Sequence, residues 1–291
     1  MRELSGKVAV VTGAASGIGR ALALRFAAEG MTLMLADVEH GGLAETAALC
    51  GDATVLTQIT DVSDASSVRH LADRCFGELR AVHVLCNNAG VFQGGHMWTR
   101  DEEDLSWLLG VNLWGVLHGI RAFVPRMIEQ DTEGHVVNTV SVAGLLVTPG
   151  TGGYAVSKHA ALAASLALAQ DLAATGSKLR VSALCPGAVR TRIADSDRLR
   201  PPSLTITPGA DEVAVKERVG KAAERGIEPS EVADLVVRGI HEERFLLLTD
   251  PSYAAALRLQ TETLLTGTLP GYPGRPQCSG LRAGDEADFP A

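Results

Sequence analysis

Short apolar runs rich in valine, leucine and isoleucine alternate with longer helical patterns along most of this chain. Such an alternation predicts a parallel sheet, because the helices that connect parallel strands cover both faces of the sheet. The sequence therefore predicts an α/β fold, a Rossmann-type doubly wound parallel sheet of about seven strands. The predicted strands are residues 7–12, 31–36, 53–59, 82–86, 134–140, 179–185 and 245–249.

Two segments interrupt this alternation. Residues 192–226 contain many charges and several prolines but few apolar side chains, which predicts a mobile lid over the substrate side of the body. Residues 270–291 are rich in proline and glycine and predict a tail without its own core. We therefore expect one domain over residues 1–269. Helices are predicted at residues 17–30, near Leu43, and at 64–77, 101–129, 154–175 and 229–241.

Charge and length limit the classes of partner. Of the 291 residues 46% are apolar, which is enough for a sizeable buried core. The 26 basic residues are scattered among 34 acidic ones, and the net charge is -8. Because nucleic-acid phosphates are held by clustered lysine and arginine, we expect a small-molecule substrate and no nucleic-acid partner.

Five cysteines are present, an odd number without a C-x-x-C pair or a zinc-type spacing. This pattern predicts buried thiols in a reducing compartment and no metal site. The N-terminal residues lack the apolar region of a secretory signal, and no long apolar stretch is free of charge or glycine. A cytoplasmic protein without a membrane partner is expected.

A glycine-rich turn with the sequence TGAASGIG connects the first strand to the first helix. The N-terminus of a helix offers free N–H groups and the positive end of the helix dipole to a dinucleotide pyrophosphate. Glycines in this position permit a tight turn, a close approach of phosphate, and close packing of the helix on the sheet. The predicted cofactor contacts are Gly13, Ser16, Gly17, Ile18 and Gly19.

Asp37 follows the second strand, 24 residues after Gly13. A carboxylate in this place accepts hydrogen bonds from the adenosine ribose hydroxyls and repels a 2′-phosphate. The next residues, Val38 and Glu39, supply no cation for such a phosphate. The sequence therefore predicts NAD rather than NADP, although an acid in an ordinary turn is the alternative interpretation.

Further cofactor contacts are predicted at the ends of the third and fourth strands. Ligands of an open parallel sheet collect at the carboxyl ends of its strands, near the point where the strand order reverses. Small residues there allow the backbone to lie against the cofactor. The predicted residues are Asp61, Val62, Asn88, Ala89 and Gly90.

Tyr154 and Lys158 are four residues apart at the start of an alanine-rich helix, so they share one face of it. A free tyrosine has a pKa of about 10, which is too high for an efficient base near neutrality. A nearby ammonium lowers that pKa by favouring the phenolate. Ser141 closes the fifth strand and is predicted to hold the substrate oxygen beside Tyr154. An isolated Y-x-x-x-K pair is typical of a helix surface, so the prediction depends on all these motifs together.

With these motifs in this order, residues 5–250 resemble the short-chain dehydrogenases/reductases, in the NAD-dependent branch with T-G-x-x-x-G-x-G and Y-x-x-x-K. The resemblance is carried by TGAASGIG, DV at 61–62, NNAG at 87–90, Asn112, Ser141, YAVSK at 154–158 and PGAVRT at 186–191.

The resemblance implies a hydride transfer with Tyr154 as acid and base, and with Ser141 orienting the substrate. Lys158 would also bind the nicotinamide ribose, and Asn112 would hold a water that connects Lys158 to solvent. A homotetramer or homodimer is implied as well. Contacts to the nicotinamide end are implied for Pro186, Gly187, Val189 and Thr191.

Three segments are expected to face the nicotinamide: residues 91–98, residues 143–148 and the lid. Their mostly apolar side chains predict a hydrophobic secondary alcohol or ketone, of aryl or cyclic type. Packing in the core is the alternative for each of them. The predicted pocket residues are Phe92, His96, Trp98, Ala143, Leu145 and Val147.

Other functions remain open at this point. An NADP-dependent ketone reductase would share the fold, but Asp37 without a basic neighbour disfavours it. A non-catalytic regulatory protein that binds NAD need not retain Ser141, Tyr154 and Lys158 together. A sugar-nucleotide epimerase would usually have a larger C-terminal substrate domain. The substrate itself, the direction of the reaction and its stereochemistry are not given by the sequence.

Overall fold

The computed structural model describes residues 1–202, 204 and 208–271. Seven strands form one sheet in which every neighbouring pair is parallel. Their order is β3-β2-β1-β4-β5-β6-β7, which confirms the predicted doubly wound sheet. The strands are β1 (Val8–Thr12), β2 (Thr32–Asp37), β3 (Val55–Ile59), β4 (Val84–Asn87), β5 (Gly134–Thr139), β6 (Leu179–Cys185) and β7 (Leu246–Leu248).

The strand order reverses between β1 and β4. The chain builds outward from β1 to β3 and then crosses back to place β4 on the other side of β1. The helices that connect the strands are α1 (Gly17–Ala28), α2 (His40–Leu49), α3 (Ala65–Leu79), α4 (Glu102–Leu109), α5 (Gly115–Glu129), α6 (Gly152–Ala174), α7 (Ala210–Glu224) and α8 (Pro229–His241), and α9 (Ser252–Leu265) follows the last strand.

The two faces of the sheet have separate apolar cores. Alternate residues of a strand point to opposite faces, so Ala9 and Val11 enter one core while Val8 and Val10 enter the other. The first core includes side chains of α1 and α8, and the second includes side chains of α3, α5 and α6. Burial on both faces explains why β1 is apolar throughout.

The helix predicted at residues 101–129 is divided in the structure. A π-helical turn, Gly110–Trp114, joins α4 to α5 and contains the buried Asn112. By length and composition alone, Glu102–Glu129 is apolar enough to cross a membrane, and 44% of that apolar window is buried inside the protein. A core helix of a soluble protein passes the same test, and α5 contributes Phe123 and Met127 to the core.

The lid predicted at residues 192–226 contains two helical segments that the sequence analysis did not identify. They are a 3₁₀ segment, Ile193–Leu199, and α7. Residues 203 and 205–207 of the lid lie outside the described residues, as do residues 272–291 of the predicted tail. Helix α9, after β7, was not predicted either, and none of its side chains is buried.

Ion pairs connect the lid to the body and explain how a charged segment packs here. Arg100 Nη1 lies 2.6 Å from Glu212 of α7 and 3.6 Å from Asp104 of α4. Asp104 also accepts a 2.6 Å hydrogen bond from Arg200, which follows the 3₁₀ segment. The four side chains are at most 8% exposed. The charges that predicted a mobile excursion are therefore paired with one another inside the protein.

We expect Asp104→Asn to lower the free energy of unfolding by about 3 kcal/mol, because it leaves two buried guanidinium groups without their shared carboxylate. Urea unfolding of both proteins measures the loss without adding a screening salt. Asp73→Asn is the matched control, since Asp73 pairs with Arg126 while 71% exposed. Its expected cost is below about 1 kcal/mol. Equal losses in the two variants would contradict the importance of the buried network.

Candidate active site

The carboxyl ends of β1, β2, β4, β5 and β6 open into one cavity of about 520 Å³. It lies where the strand order reverses, the place at which open α/β sheets bind ligands. Every cofactor contact predicted from the sequence lines this cavity. Of the predicted catalytic residues, Ser141, Tyr154 and Lys158 line it, and Asn112 lies behind its wall.

The glycine turn has the geometry of a phosphate cradle. Gly13 has a φ of 68°, and a Cβ built on it would lie 2.7 Å from the Cα of Ala89. A Cβ on Gly19 would overlap the carbonyl oxygen of Gly13. Ser16 precedes α1 but makes no side-chain cap, so the first N–H groups of that helix remain available to an anion. The turn therefore fits a dinucleotide pyrophosphate.

Asp37 lies at the end of β2, on the wall of the same cavity. Its carboxylate accepts hydrogen bonds from the backbone N–H groups of Ala15, at 2.8 Å, and Glu39, at 3.0 Å. Burial raises the pKa of the Asp37 carboxyl, and these two hydrogen bonds oppose the rise. The carboxylate is thus fixed to the glycine turn, where an adenosine ribose would lie.

The ends of β1 and β4 are joined through the Thr12 hydroxyl. It accepts hydrogen bonds from the backbone N–H groups of Asn88, at 3.0 Å, and Ala89, at 3.1 Å. It also donates to the carbonyl oxygen of Cys86. The Asn88 side chain donates to the Thr12 carbonyl oxygen and accepts from Thr139 at the end of β5. These bonds hold the segment after β4 against the glycine turn.

Tyr154 and Lys158 lie in the first two turns of α6 and line the cavity, where Lys158 is buried and Tyr154 is partly buried. The Lys158 ammonium lies 5.8 Å from the centroid of the Tyr154 ring. It donates a 2.9 Å hydrogen bond to the carbonyl oxygen of Thr139, which fixes it at the end of β5. Ser141 follows that strand, and its hydroxyl hydrogen-bonds Tyr154. The sequence-predicted catalytic side chains are thus brought together.

Asn112 reaches the site from the π-helical turn. Its side-chain amide donates to the Val91 carbonyl oxygen and to the Ser157 hydroxyl, and its oxygen accepts from the Val91 N–H. Only Gly90 separates it from Lys158: a Cβ on Gly90 would lie 3.3 Å from Asn112 Oδ1 and 3.4 Å from Lys158 Nζ. One lone pair of Asn112 Oδ1 remains to accept a hydrogen bond from a water. The proton relay from Lys158 through such a water to solvent stays a prediction.

Burial acts in opposite directions on the two titrating groups. It raises the pKa of Tyr154 to about 12, and the hydrogen bond with Ser141 opposes this rise. It lowers the pKa of Lys158 to about 8. Without a cofactor Tyr154 is therefore protonated near neutrality and is ready to act as an acid. For it to act as a base, positive charge beside the phenolate is needed.

Of the six residues predicted to line the substrate pocket, two lie on the cavity. Phe92 lines the cavity and packs edge-on against Tyr154, at 5.0 Å between ring centroids, and Ala143 also lines it. The other four predicted residues lie elsewhere. The His96 ring stacks on Trp98, which is 81% exposed, and Val147 is 53% exposed. Leu145 points instead into an apolar core cluster.

The assignment of those four residues to the pocket is therefore corrected. Apolar character alone does not distinguish a pocket wall from a surface residue or a core residue. Cavity-lining residues that were not included among the predicted pocket residues come from segments far apart in sequence. They include Trp107, Val111, Thr148, Thr151, Leu199, Val219 and Tyr253. The lid, which contains α7, was expected to face the nicotinamide, whereas no sequence signal placed α9 against the cavity.

A glycine turn that fits a dinucleotide pyrophosphate, a carboxylate placed for the adenosine ribose, and a serine–tyrosine–lysine set share one cavity. Together they define a nicotinamide-dependent oxidoreductase of Rossmann fold. A family model described as short chain dehydrogenase matches residues 7–201. The chain belongs to this family.

Relatives and solved structures agree with this classification. The 1-deoxy-11-beta-hydroxypentalenate dehydrogenase of Streptomyces avermitilis is 38% identical, over 85% of this chain and 86% of that protein. A short chain dehydrogenase/reductase from Burkholderia phymatum, solved in complex with NAD, is 42% identical with a TM-score of 0.92, covering 94% of this chain and 99% of that one. Carveol dehydrogenase from Mycobacterium avium, also solved with NAD, is 27% identical with a TM-score of 0.72, covering 86% and 98%. The cofactor of this oxidoreductase is NAD, as the sequence predicted.

We expect Lys158→Met to move the rising limb of the pH profile for alcohol oxidation to higher pH. The ammonium lies 5.8 Å from the centroid of the Tyr154 ring, and a positive charge there favours the phenolate, so its loss raises the pKa of Tyr154. Less phenolate is then present at each pH, and oxidation slows. Initial rates of NADH formation across pH measure the shift.

Lys178→Met is the control for this substitution, because Lys178 forms a surface ion pair with Asp131 and is 53% exposed. Its pH profile should match that of the unsubstituted enzyme. A Lys158→Met enzyme with lower activity but an unmoved pH limb would show that Lys158 acts only by binding the cofactor.

Proposed function

We propose that this enzyme interconverts an apolar secondary alcohol, of cyclic or aryl type, and its ketone with NAD as the hydride carrier. The main support for this proposal is that Tyr154, Ser141 and Lys158 meet at a cavity whose adjoining walls are apolar. Two relatives are named for hydroxypentalenate and carveol, which are alcohols on cyclic skeletons. Their names support the class of substrate.

The chemistry follows from the positions of the side chains. In the oxidation direction the Ser141 hydroxyl holds the substrate oxygen, and the Tyr154 phenolate accepts its proton as hydride leaves the carbinol carbon. NAD, when bound, supplies the nicotinamide ring that accepts this hydride. The Lys158 ammonium stabilises the phenolate. In the reduction direction Tyr154 is already protonated and donates its proton to the carbonyl oxygen.

Apolar side chains surround Tyr154 on the substrate side. Trp107, Val111 and Leu199 belong to one cluster with Tyr154, and Phe92 packs against its ring. Burying an apolar ligand against these side chains is favourable by about 25 cal/mol for each Å² removed from water. A charged substrate would lose its hydration here, so the walls favour an uncharged one.

We further propose a homotetramer or homodimer in the cytoplasm. Exposed apolar side chains on the helices α5 and α6, Ile128, Val156 and Leu166, support association with a second copy. Four cysteines, Cys50, Cys75, Cys86 and Cys185, are buried as free thiols, in agreement with a reducing compartment. Sedimentation of the purified protein tests the assembly.

The test of the activity is NADH formation with a panel of cyclic, aryl and short linear secondary alcohols. The enzyme should oxidise cyclic or aryl alcohols faster than linear ones, and Tyr154→Phe should reduce kcat/KM by about 10²- to 10⁴-fold. Tyr154→Phe should still bind NAD, because the cradle is untouched. Turnover retained in Tyr154→Phe, or a preference for charged linear alcohols, would contradict the proposal.

Substitutions of two tryptophans distinguish the pocket seen in the structure, which includes Trp107, from the pocket predicted by sequence, which includes Trp98. Trp107→Ala should lower kcat/KM for the best cyclic substrate by about 10- to 100-fold, because that wall is lost. Trp98→Ala should leave it unchanged, since Trp98 is 81% exposed and lies off the cavity. Unchanged NAD affinity verifies that each variant retains the fold. A lower kcat/KM in Trp98→Ala with an unchanged value in Trp107→Ala would instead indicate that the substrate binds against Trp98.

A further inference from the structure

Two arginines of the lid reach the adenosine end of the cavity. Arg192 precedes the 3₁₀ segment, Arg198 lies in its last turn, and both line the cavity. Both approach the same atom, Glu39 Oε2, at 3.5 Å for Arg192 and 3.2 Å for Arg198. The carboxylate of Glu39 therefore neutralises cationic side chains that come from a segment about 150 to 160 residues away.

Glu39 is also adjacent to the residue that faces the ribose. Its backbone N–H donates to Asp37 Oδ1, and its negative charge acts on Asp37 in the direction that disfavours a second carboxylate. Two carboxylates and two guanidinium groups thus surround the place of the ribose 2′-position. Their formal charges cancel. The electrostatic potential at this place therefore depends on Arg192 and Arg198 as well as on Asp37.

Arg198 is fixed by several hydrogen bonds, but one of its N–H groups has no partner among the described residues. It donates through Nη1 to the carbonyl oxygens of Asp195, at 2.7 Å, and Arg192, at 3.2 Å, and through Nη2 to Glu39. Its Nε is buried and has no hydrogen-bond partner in the described part of the chain. A guanidinium fork with a spare N–H group suits a phosphate, whose oxygens accept two parallel hydrogen bonds.

We propose that Glu39 is a specificity-determining residue that excludes NADP by occupying Arg198 and Arg192. With Glu39 present, the arginines are paired and a 2′-phosphate meets a neutral site with Asp37 beside it. Without that carboxylate the site carries a net formal charge of +1, and neither guanidinium group has a carboxylate of Glu39 to pair with. The inference rests on the NAD-dependent function proposed above and adds a second selectivity residue to Asp37.

The decisive variant is Glu39→Gln, which keeps the shape of the side chain and removes its charge. Glu39 makes no side-chain cap for α2, so the helix does not depend on the carboxylate. Dissociation constants for NAD+ and NADP+ are measured by titration calorimetry at low and moderate salt. The ratio of NADP+ to NAD+ affinity should rise at least about tenfold, and salt should weaken the gain.

Arg198 must be the source of this gain. Glu39→Gln combined with Arg198→Met should return the ratio toward that of the unsubstituted enzyme. Arg198→Met alone should change the ratio little, because Glu39 already occupies the arginine. Glu78→Gln controls for the loss of one negative charge, since Glu78 pairs with Arg74 on the exposed surface of α3. That variant should leave the ratio unchanged.

Three outcomes overturn the inference. One is an unchanged ratio in Glu39→Gln, and another is a gain that persists after Arg198→Met. The third is a loss of NAD+ affinity without any gain for NADP+, which would make Glu39 a ribose ligand only. Because binding is the readout, failure to find a substrate does not affect the result. An unsubstituted enzyme that binds neither nucleotide would overturn the proposed function together with this role of Glu39.

Discussion

The hydroxyl of Thr12 is the contact on which the site depends most. It bonds the end of β1 to the segment after β4, the two strands between which the sheet order reverses. Without this junction the glycine turn would have no fixed wall opposite it. Gly13 can approach Ala89 closely only because neither the turn nor the wall has bulk at that point. Cofactor geometry, catalytic residues and lid are all positioned relative to this pair of strand ends.

Much of this arrangement could be predicted from sequence because it follows short-range rules. Strands buried on both faces are visible as apolar runs, and parallel strands bring their carboxyl ends to one edge. Residues at those ends, such as Asp37, Asn88 and Ser141, therefore had to lie near one another. The spacing of Tyr154 and Lys158 on one helix gave their common direction. The positions of these side chains could be predicted without knowing how distant segments pack.

The substrate wall and the lid could not be predicted in the same way. Trp107 and Trp98 are similar residues nine positions apart, yet one lines the cavity and the other is exposed. The difference arises from where α4 packs. The lid was predicted to be mobile because it contains many charges and few apolar side chains. In the structure, Arg200 of the lid bonds Asp104, almost a hundred residues away. Ion pairs between distant segments leave no periodic signal in a sequence.

The π-helical turn at Gly110–Trp114 has a consequence for how this enzyme can vary. A π turn holds one residue more than an α turn, and each residue of an α-helix advances by 100° around its axis. The extra residue therefore changes the angular phase between α4 and α5. With it, Trp107 faces the cavity while Phe123 faces the sheet core. Deleting one residue there would let either helix keep its orientation, but not both. A change in the length of this turn would therefore alter the position of Asn112 and the packing of α5 together.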